Sequence, residues 1–234
     1  GLKVALSGLG GDELFGGYST FQTVPRAERL ARVARRLPSA ARKAAAAVAG
    51  LGNRDGMGDA RRKMKALWRD PAALPHAYFF ARALFAPEQA ARLAGRSSLE
   101  VAGTAWGGWM EETARGAREL GEMTGVSWLE MRSYMVNTLL RDTDAVSMSQ
   151  SLEVRVPLLD TPLVEFVAGL PEKVKRGAKK RLLREALGEL LPEEVAGQKK
   201  RTFTFPWERW LRGGLGRRVR EGLEEPAGAL ETAL

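Results

Sequence analysis

The chain of 234 residues has no cysteine and a single histidine, His76. Without cysteine it can hold no disulfide, no thiolate nucleophile and no cysteine-based metal site, and this composition fits a reducing cytoplasm. His76 has no partner motif and lies beside the aromatic run Tyr78–Phe80. We therefore expect the histidine to pack within the fold or to lie at the surface rather than to take part in catalysis.

Long hydrophobic runs are also missing. The alanine-rich run Ala44–Val48 falls far short of the roughly 18 residues of a membrane-spanning helix. Neither an initiator methionine nor a signal peptide precedes the first strand-like segment. Hydrophobic residues still make up 44% of the chain, which is enough to fill a core. The composition predicts a soluble globular protein with no membrane partner, cut from a longer chain.

The net charge of +9 is strongly positive. Such an excess of arginine and lysine can indicate a nucleic-acid partner. However, aromatic residues are not interleaved with the basic ones, as a base-stacking surface would require. Much of the charge is arginine that is spread over alanine-rich helical segments. We therefore expect no nucleic-acid partner.

The most informative stretch is Ser7–Tyr18, which reads SGLGGDELFGGY and follows the apolar run Val4–Leu6. Such a run predicts a short buried strand. The glycines after it allow backbone N–H groups to approach an anion such as phosphate. In open α/β sheets, ligands bind just beyond the carboxyl ends of strands, where this loop would lie. A tight strand-to-helix turn without a ligand is the alternative, and these residues alone do not decide between the two.

Asp12 and Glu13 stand where the following helix would begin, and Gly16 and Gly17 would end it one turn later. Negative charge suits the positive end of a helix, so capping explains the two carboxylates without any ligand. If the loop does bind phosphate, the carboxylates beside it require a Mg²⁺ ion between them. Both interpretations stay open at this point.

The rest of the chain is predicted to be largely helical. Its most strongly patterned helix spans Ser127–Arg141, with Ser127 as the N-cap. After it, Glu153 and Arg155 alternate with apolar residues, which places both charges on one side of an extended segment. They form either a site or a structural network with the nearby aspartates Asp142, Asp144 and Asp160.

The last patterned run is Gln198–Leu211. It contains Lys200, which by itself is better explained by a solvated basic turn than by a functional role. Trp207 and Trp210 are predicted to lie in the core. The residues after Gly222 show little pattern.

Three stretches together resemble one family. Ser7–Tyr18 is similar to the second signature loop of the synthetase domain of glutamine-dependent asparagine synthetases, S-G-x-G-x-D-E-x-F-x-G-Y. Leu139–Asp160 is similar to the family segment L-R-x-x-D-x-x-S-M-x-x-x-x-E-x-R-x-P-x-L-D, and Gln198–Leu211 resembles the family's R-x-K-x-x-F-x-x-P-x-x-x-W-L. The stretches follow each other in the family's order. The chain is therefore identified as the C-terminal part of such a domain over residues 1–222, followed by a disordered tail over residues 223–234.

The resemblance implies a carbon–nitrogen ligase of asparagine biosynthesis. ATP would activate the β-carboxylate of aspartate as an acyl adenylate, and ammonia would displace AMP. A missing amino-terminal domain would supply the ammonia from glutamine. The implied fold is the α/β fold of adenine nucleotide alpha hydrolase-like ATP pyrophosphatases, a parallel sheet with helices, of which this chain would hold a predominantly helical part with one or few strands. A homo-oligomer fits this resemblance as well.

Carried over residue by residue, the resemblance also implies the site. It places ATP at Ser7, Gly8, Gly10 and Asp12, and Mg²⁺ at Asp12. It also implies catalytic roles at Lys200, which would meet the departing pyrophosphate, and at Glu153.

The chain departs from the family's pattern in two respects. Leu9 stands where many members carry an acidic residue, and leucine cannot take a proton. Either Glu153 replaces that residue, or the acceptor is not simple ammonia, as in related ligases that close β-lactam or lasso-peptide rings. The family's first ATP loop, S-G-G-x-D-S, is absent, so the isolated chain is expected to be inactive. A non-catalytic helical module that retains the motifs is a further alternative.

Overall fold

The computed structural model of the chain describes residues 1–50, 59–95, 100, 104–177, 180–196 and 206–224. The chain divides into two compact units, Gly1–Leu190 and Leu191–Leu234. Most of the described residues are helical, and two short strands form a parallel sheet. The prediction of a mainly helical chain with few strands is thus confirmed. The larger parallel sheet of the α/β fold stays a prediction.

The two strands are β1, Val4–Leu6, and β2, Glu153–Arg155. The strand predicted at Val4–Leu6 forms, but the prediction that it is buried is wrong, because Val4 and Leu6 are 38% and 74% exposed. The two strands pair in parallel, with Val4 opposite Glu153 and Leu6 opposite Arg155. The N–H of Ser7 donates to the carbonyl of Arg155 at 2.8 Å, which extends the ladder by one residue. Because the strands are parallel, their carboxyl ends meet at the same edge, where the glycine-rich loop begins.

The helices of the first unit follow β1 and flank β2. In chain order they are α1 Gly11–Phe15, α2 Thr20–Arg36, α3 Ser39–Gly50, α4 Asp59–Arg69, α5 Ala77–Arg82, α6 Pro87–Leu93, α7 Ala105–Glu119, α8 Glu122–Glu130, a π-helix over Met131–Leu140, α9 Arg141–Met148, α10 Thr161–Gly169, α11 Glu172–Lys175 and α12 Arg181–Leu187. Short 3₁₀ turns occupy Pro157–Leu159 and Gly188–Leu190. The predicted stop of α1 is confirmed, since Gly16 ends it in the left-handed conformation with φ 74°.

One helical run joins α8, the π-helix and α9 without a break, from Glu122 to Met148. The prediction of an N-cap at Ser127 is wrong, because Ser127 is buried inside α8 and Gly121 is the N-cap. The stretch Ser127–Arg141 is helical as predicted, but its middle has π geometry. Wide turns of this kind are rare and are found frequently near functional sites.

Two apolar clusters hold the helices around the signature stretch Ser7–Tyr18 in place. The larger one lies between α2, α5, α7 and α8 and contains Phe21, Val24, Tyr78, Phe79, Met110, Ala114, Ala117, Val126 and Leu129. The smaller one packs Leu14 and Phe15 of α1 against Val167 of α10, with Leu182 and Leu183 of α12 beside them. This second cluster holds the start of α12 close to the glycine-rich loop.

Of the two predicted places for His76, packing within the fold or the surface, the structure shows the first. The histidine is 7% exposed, and its Nδ1 accepts the N–H of Tyr78 at 3.1 Å, which caps α5.

The start of α8 is capped from another helix. The carboxylate of Glu172 accepts the N–H groups of Met123 and Thr124 at 2.8 and 3.2 Å and the hydroxyl of Thr124 at 2.7 Å. Lys175 Nζ lies 3.5 Å from the same carboxylate. Burial alone would raise the pKa of Glu172, but these hydrogen bonds and Lys175 together outweigh burial and hold the pKa below its usual value of 4.5.

Glu172→Gln is expected to lower the melting temperature at neutral pH, by the equivalent of about 1 kcal/mol for a lost helix cap. Because the folded-state pKa of Glu172 is lowered, its ionised form stabilises the fold above pH 4.5, and this contribution is lost as the pH falls through the lowered value. Melting curves recorded from neutral to acidic pH check this. The two chains should converge at low pH, whereas Glu165→Gln, at an exposed position of α10, should match the parent chain throughout.

The second unit contains α13 Glu193–Ala196, α14 Trp207–Arg212 and α15 Gly214–Glu224. The prediction that Trp207 and Trp210 lie in the core is wrong, because they are 53% and 40% exposed. Their rings pack edge to face, with centroids 5.4 Å apart. Of the predicted tail, residues 223 and 224 complete α15, and residues 225–234 lie outside the described residues.

Within the described residues, no helix is both long enough and apolar enough to cross a membrane.

Candidate functional site

The loop Ser7–Gly10 connects β1 to α1 and is closed by its own groups. The hydroxyl of Ser7 accepts the N–H of Leu9 at 3.3 Å, and the carbonyl of Gly8 accepts the N–H of Gly11 at 3.3 Å. In the part of the chain that the structure describes, the N–H groups of Gly8 and Gly10 have no acceptor. Both donors are therefore available to an anion bound at this loop.

The structural constraints at Gly10 and Gly8 are different. Gly10 has φ 91°, and a Cβ there would lie 2.5 Å from Cδ2 of Leu159, so both conformation and packing require glycine. A Cβ at Gly8 would meet no atom within 4 Å. The loop is thus held tightly on its Gly10 side and leaves open space beside Gly8.

Asp12 lies in the first turn of α1 and pairs with a lysine from α12. Its Oδ2 is 3.2 Å from Nζ of Lys180, with the two side chains 23% and 33% exposed. On the other side, its carboxylate fills the space beside Gly17, where a Cβ would lie 1.8 Å from Oδ1. The structure therefore places one carboxylate and one ammonium group together at the start of α1, beside the loop.

Lys180 was not among the site residues predicted from sequence. It has φ 57°, a conformation that residues other than glycine adopt rarely, and it is the N-cap of α12. Strained backbone of this kind is often found at functional sites. The one signal in the sequence was its position at the start of a basic amphipathic helix, which does not reveal contact with Asp12.

Lys200, the lysine predicted to be catalytic, lies outside the described residues. Its role stays a prediction.

Glu13 does not share the surroundings of Asp12, although the two are adjacent. It is 1% exposed, and its Oε1 accepts the hydroxyl of Tyr18 at 2.6 Å. Burial raises the pKa of Glu13, against the opposing effect of the hydrogen bond from Tyr18. A buried carboxylate that is held in this way supports the signature stretch internally, which leaves Asp12 as its outward-facing carboxylate.

A buried charge network continues from Tyr18 into the helical core. Arg82 lies over the rings of Tyr18 and Tyr134, with its Cζ 4.8 and 4.1 Å from their centroids. Its Nε and Nη2 donate to Oε2 of Glu130 at 3.1 and 2.6 Å. Glu130 is fully buried and also accepts the hydroxyl of Tyr78 at 3.0 Å.

No local sequence pattern predicts this network, because its members come from the turn before α2, from α5, from α8 and from the π-helix and have no common motif. Burial would lower the pKa of Arg82, but Glu130 outweighs burial and raises it, so the arginine stays charged. Arg82 also lines a cavity of about 560 Å³ together with Trp106, Trp109 and Tyr134. Tyr18 thus links the signature stretch to an aromatic cavity.

Glu153 and Arg155 lie on one side of β2, as predicted. Nε of Arg155 is 2.8 Å from Oε1 of Glu153, and both side chains are more than half exposed. The alternative of a wider network with the nearby aspartates is not seen for Arg155, because Glu153 is its one ion-pair partner among the described residues. The register places Glu153 beside Val4, which is three residues or about 10 Å before the loop. Arg155 lies nearer to the loop than Glu153 does.

No group of three or more aspartate, glutamate, histidine or cysteine side chains that could hold a metal ion is found among the described residues. This agrees with the chemistry of Mg²⁺ at phosphate sites, where one or two carboxylates suffice and phosphate oxygens and water complete the coordination. Asp12, a partly exposed carboxylate beside the loop, fits such a partial ligand set.

Comparison with known proteins decides the family. The family model for asparagine synthase matches residues 1–234, which is the whole chain. The chain belongs to the asparagine synthase family. No solved structure matches it significantly.

Several curated proteins are similar to this asparagine synthase family chain. Asparagine synthetase (glutamine-hydrolyzing) 1 of Bacillus subtilis (strain 168) is 28% identical over 231 residues, which cover 96% of this chain and 34% of that protein. Asparagine synthetase (glutamine-hydrolyzing) 3 of the same organism is 38% identical over 102 residues, covering 40% of this chain and 16% of that protein. Amidase chry2 of Gibberella zeae is 29% identical over 103 residues, covering 40% of this chain and 15% of that protein.

The chain therefore spans about a third of the length of the first of these relatives, 34%.

Proposed function

We propose that the protein of which this chain forms part makes asparagine by ATP-dependent amidation of aspartate, through a β-aspartyl adenylate. The observation that carries the proposal is the pairing of Asp12 with Lys180 at a loop with free N–H donors, in a chain that belongs to the asparagine synthase family over its full length. The substrates would be aspartate, ATP and ammonia, with the ammonia released from glutamine elsewhere in the protein.

The residues at the loop have different roles, which follow from the charge of each group. The N–H groups of Gly8 and Gly10 would bind phosphate oxygens of ATP, and the hydroxyl of Ser7 holds the loop in the required shape through Leu9. Asp12 would hold Mg²⁺, which neutralises the phosphates during adenylation. Lys180 would stabilise the negative charge that develops on the departing pyrophosphate.

Glu153 remains a candidate for catalysis of the amide-forming step, and Lys200 remains a candidate for contact with the departing pyrophosphate. Glu153 is ionisable and exposed at the surface of β2, where Arg155 holds it at 2.8 Å. A change of ligand state that moved Arg155 would free this carboxylate.

Asp12→Asn in the polypeptide that includes this chain is expected to reduce aspartate-dependent exchange of pyrophosphate into ATP by about tenfold. The asparagine keeps one oxygen ligand but loses the charge that Mg²⁺ requires. The melting temperature should change little. The measurement is pyrophosphate exchange at several Mg²⁺ concentrations, because a weakened metal ligand is partly rescued by more metal.

Asp70→Asn serves as the control, since Oδ1 of Asp70 accepts the N–H of Ala72 at 3.2 Å in an exposed turn and performs only local capping. It should leave exchange unchanged. If Asp12→Asn also leaves exchange unchanged and lowers only the melting temperature, Asp12 is a helix cap and the proposed metal role is wrong.

A second candidate function is formation of an amide with an acceptor larger than ammonia. Two observations favour it. Leu9 provides no proton-accepting group in the loop, and the aromatic cavity of about 560 Å³ is lined by Arg82 and Tyr134, both in contact with Tyr18. The two functions are distinguished by AMP release in the presence of aspartate and ammonium. Release that requires ammonium supports asparagine synthesis, in which ammonia takes the acyl group and AMP leaves. Adenylate formation, seen as pyrophosphate exchange, without any stimulation of AMP release by ammonium supports another acceptor.

A further inference from the structure

A cavity of about 370 Å³ lies between α2, the end of α7 and the start of α8. Glu28 and His76 form its floor, at 8% and 7% exposure. Three guanidinium groups, those of Arg32, Arg35 and Arg118, line the cavity around this floor. Its lining contains no residue of the glycine-rich loop, so it is separate from the candidate functional site.

Glu28 acts as a fixed counter-charge within this cavity. Its Oε2 accepts the N–H of Ala77 at 2.8 Å. Its Oε1 lies 3.4 Å from Nη1 of Arg35 and 3.9 Å from Nη2 of Arg118. Nε of Arg35 also donates to the carbonyl of Pro71 at 3.3 Å, and Nη2 of Arg118 donates to the carbonyl of Pro75. A guanidinium group has five N–H donors, so both arginines retain donors for a further acceptor.

His76 adds a hydrogen-bond donor to the floor rather than a charge. Because Nδ1 accepts the N–H of Tyr78, the proton of the neutral ring lies on Nε2. This nitrogen is 3.8 Å from Oε2 of Glu28, too far for a hydrogen bond. Burial lowers the pKa of His76 below 6.5, against the opposing effect of Glu28.

The charges of the cavity do not balance. Its lining holds three arginines but only two carboxylates, Glu28 and Glu122. Glu122 is already paired with Arg29 at 2.9 Å and with Arg176 at 3.8 Å, and neither arginine belongs to the lining. Arg32 makes no ion pair with any residue that the structure describes. An excess of positive charge thus surrounds a preformed space.

We propose that this cavity binds a compact oxyanion with two or more negative charges, such as a phosphate group or a short dicarboxylate. Guanidinium groups bind both kinds of oxyanion through paired N–H donors. Arg32 supplies the unpaired positive charge, and Glu28 orients the other two arginines. This site is independent of the function proposed above.

The single histidine of the chain reports directly on occupancy of the cavity. The experiment is an NMR pH titration of His76 in the 234-residue chain at constant ionic strength, without added anion, with sulfate and with oxalate. Both probes stay doubly charged over the range in which histidine titrates. A bound anion stabilises the protonated imidazole, so the pKa of His76 is expected to rise in each arm that binds.

A response to sulfate indicates that the natural ligand is a tetrahedral oxyanion, and a response to oxalate indicates that it is a dicarboxylate. The absence of a rise in both arms overturns the proposal.

Matched variants then locate the site. Arg32→Gln should weaken the response about tenfold, as expected for loss of one charged hydrogen-bond donor. Arg26→Gln removes the same charge from α2 but lies two positions before Glu28, on the far side of the helix. It should behave like the parent chain, and circular dichroism checks that both variants are folded. Equal weakening by both variants would mean only general attraction to a basic chain and would refute the site.

Lys180→Ala separates this proposal from the function proposed for the loop. It should leave the response of His76 unchanged, since Lys180 pairs with Asp12 and is absent from the lining. If Lys180→Ala removes the response and Arg32→Gln does not, the anion binds at the loop and the cavity proposal is wrong.

Discussion

Lys180→Ala is expected to slow adenylate formation by a factor of about 100 or more in the polypeptide that includes this chain, while the melting temperature changes little. The ammonium group lies 3.2 Å from Asp12 Oδ2, at the loop that we propose binds the phosphates of ATP. Loss of one preorganised donor to a developing anion typically costs a factor of about 100 to 1,000. Stability should be almost unaffected, because the pair is partly exposed and such pairs contribute about 0 to 1 kcal/mol. The measurement is the rate of pyrophosphate exchange at saturating ATP and aspartate.

Two further variants make this prediction decisive. Lys180→Arg keeps the positive charge and should recover a large part of the rate, because the attraction to the developing negative charge depends on that positive charge. Lys200→Ala tests the lysine to which the family resemblance assigns a catalytic role. If Lys200→Ala stops exchange and Lys180→Ala does not, the assignment from sequence is right and Lys180 only pairs with Asp12.

Glu130→Ala is expected to destabilise the first unit by about 3 to 5 kcal/mol, the typical cost of removing one partner of a buried ion pair. The carboxylate is fully buried and accepts the hydroxyl of Thr20 at 2.5 Å in addition to Tyr78 and Arg82. Its removal would leave the guanidinium of Arg82 without a counter-ion. A domain of ordinary stability has about 5 to 15 kcal/mol in total, so the variant should unfold at much lower denaturant concentration.

The control for this prediction is an exposed pair on the neighbouring helices. Glu112 and Arg132 are 3.5 Å apart, with side chains 60% and 39% exposed, and Glu112→Ala should cost at most about 1 kcal/mol. A double variant, Glu130→Leu with Arg82→Met, should recover much of the lost stability, because no charge is left unpaired. Equal effects of Glu130→Ala and Glu112→Ala would contradict a structural role for the buried network.

The loss of stability in Glu130→Ala would also affect the candidate functional site. Tyr18 belongs to the signature stretch, donates to Glu13 at 2.6 Å and stacks under Arg82. The network therefore connects the short helix that carries Asp12 to α5 and α8. The network holds α1 in place. This helix has only five residues and therefore has little stability of its own.

Where the sequence predicted correctly, the cause was local. The position of the strand before the loop, the stop at Gly16 and the shared side of Glu153 and Arg155 follow from glycine conformation and from the two-residue alternation of strands. The burial predicted for that strand was not local and was wrong, since Val4 and Leu6 are exposed. The family resemblance of Ser7–Tyr18 also rests on adjacent residues. The match of the family model to the whole chain confirms it.

Where the sequence misled, a distant segment had changed the outcome. Ser127 resembles an N-cap, but Glu172 caps the helix from outside at Met123 and Thr124, so the helix begins earlier. Trp207 and Trp210 are apolar enough for a core, yet they lie 53% and 40% exposed in the second unit.

The amino-acid sequence by itself determined the glycine-rich loop, the position of Asp12 after it and the family to which the chain belongs, because each depends on residues that are neighbours in the chain. Only the tertiary structure decided which cation meets Asp12, which carboxylate is buried with Arg82 and which arginines share a cavity. Lys180 reaches Asp12 because Leu182 and Leu183 pack on Leu14 and Phe15. Burial of apolar surface brings such distant segments together, and the charged groups on them then meet at positions that no local pattern encodes.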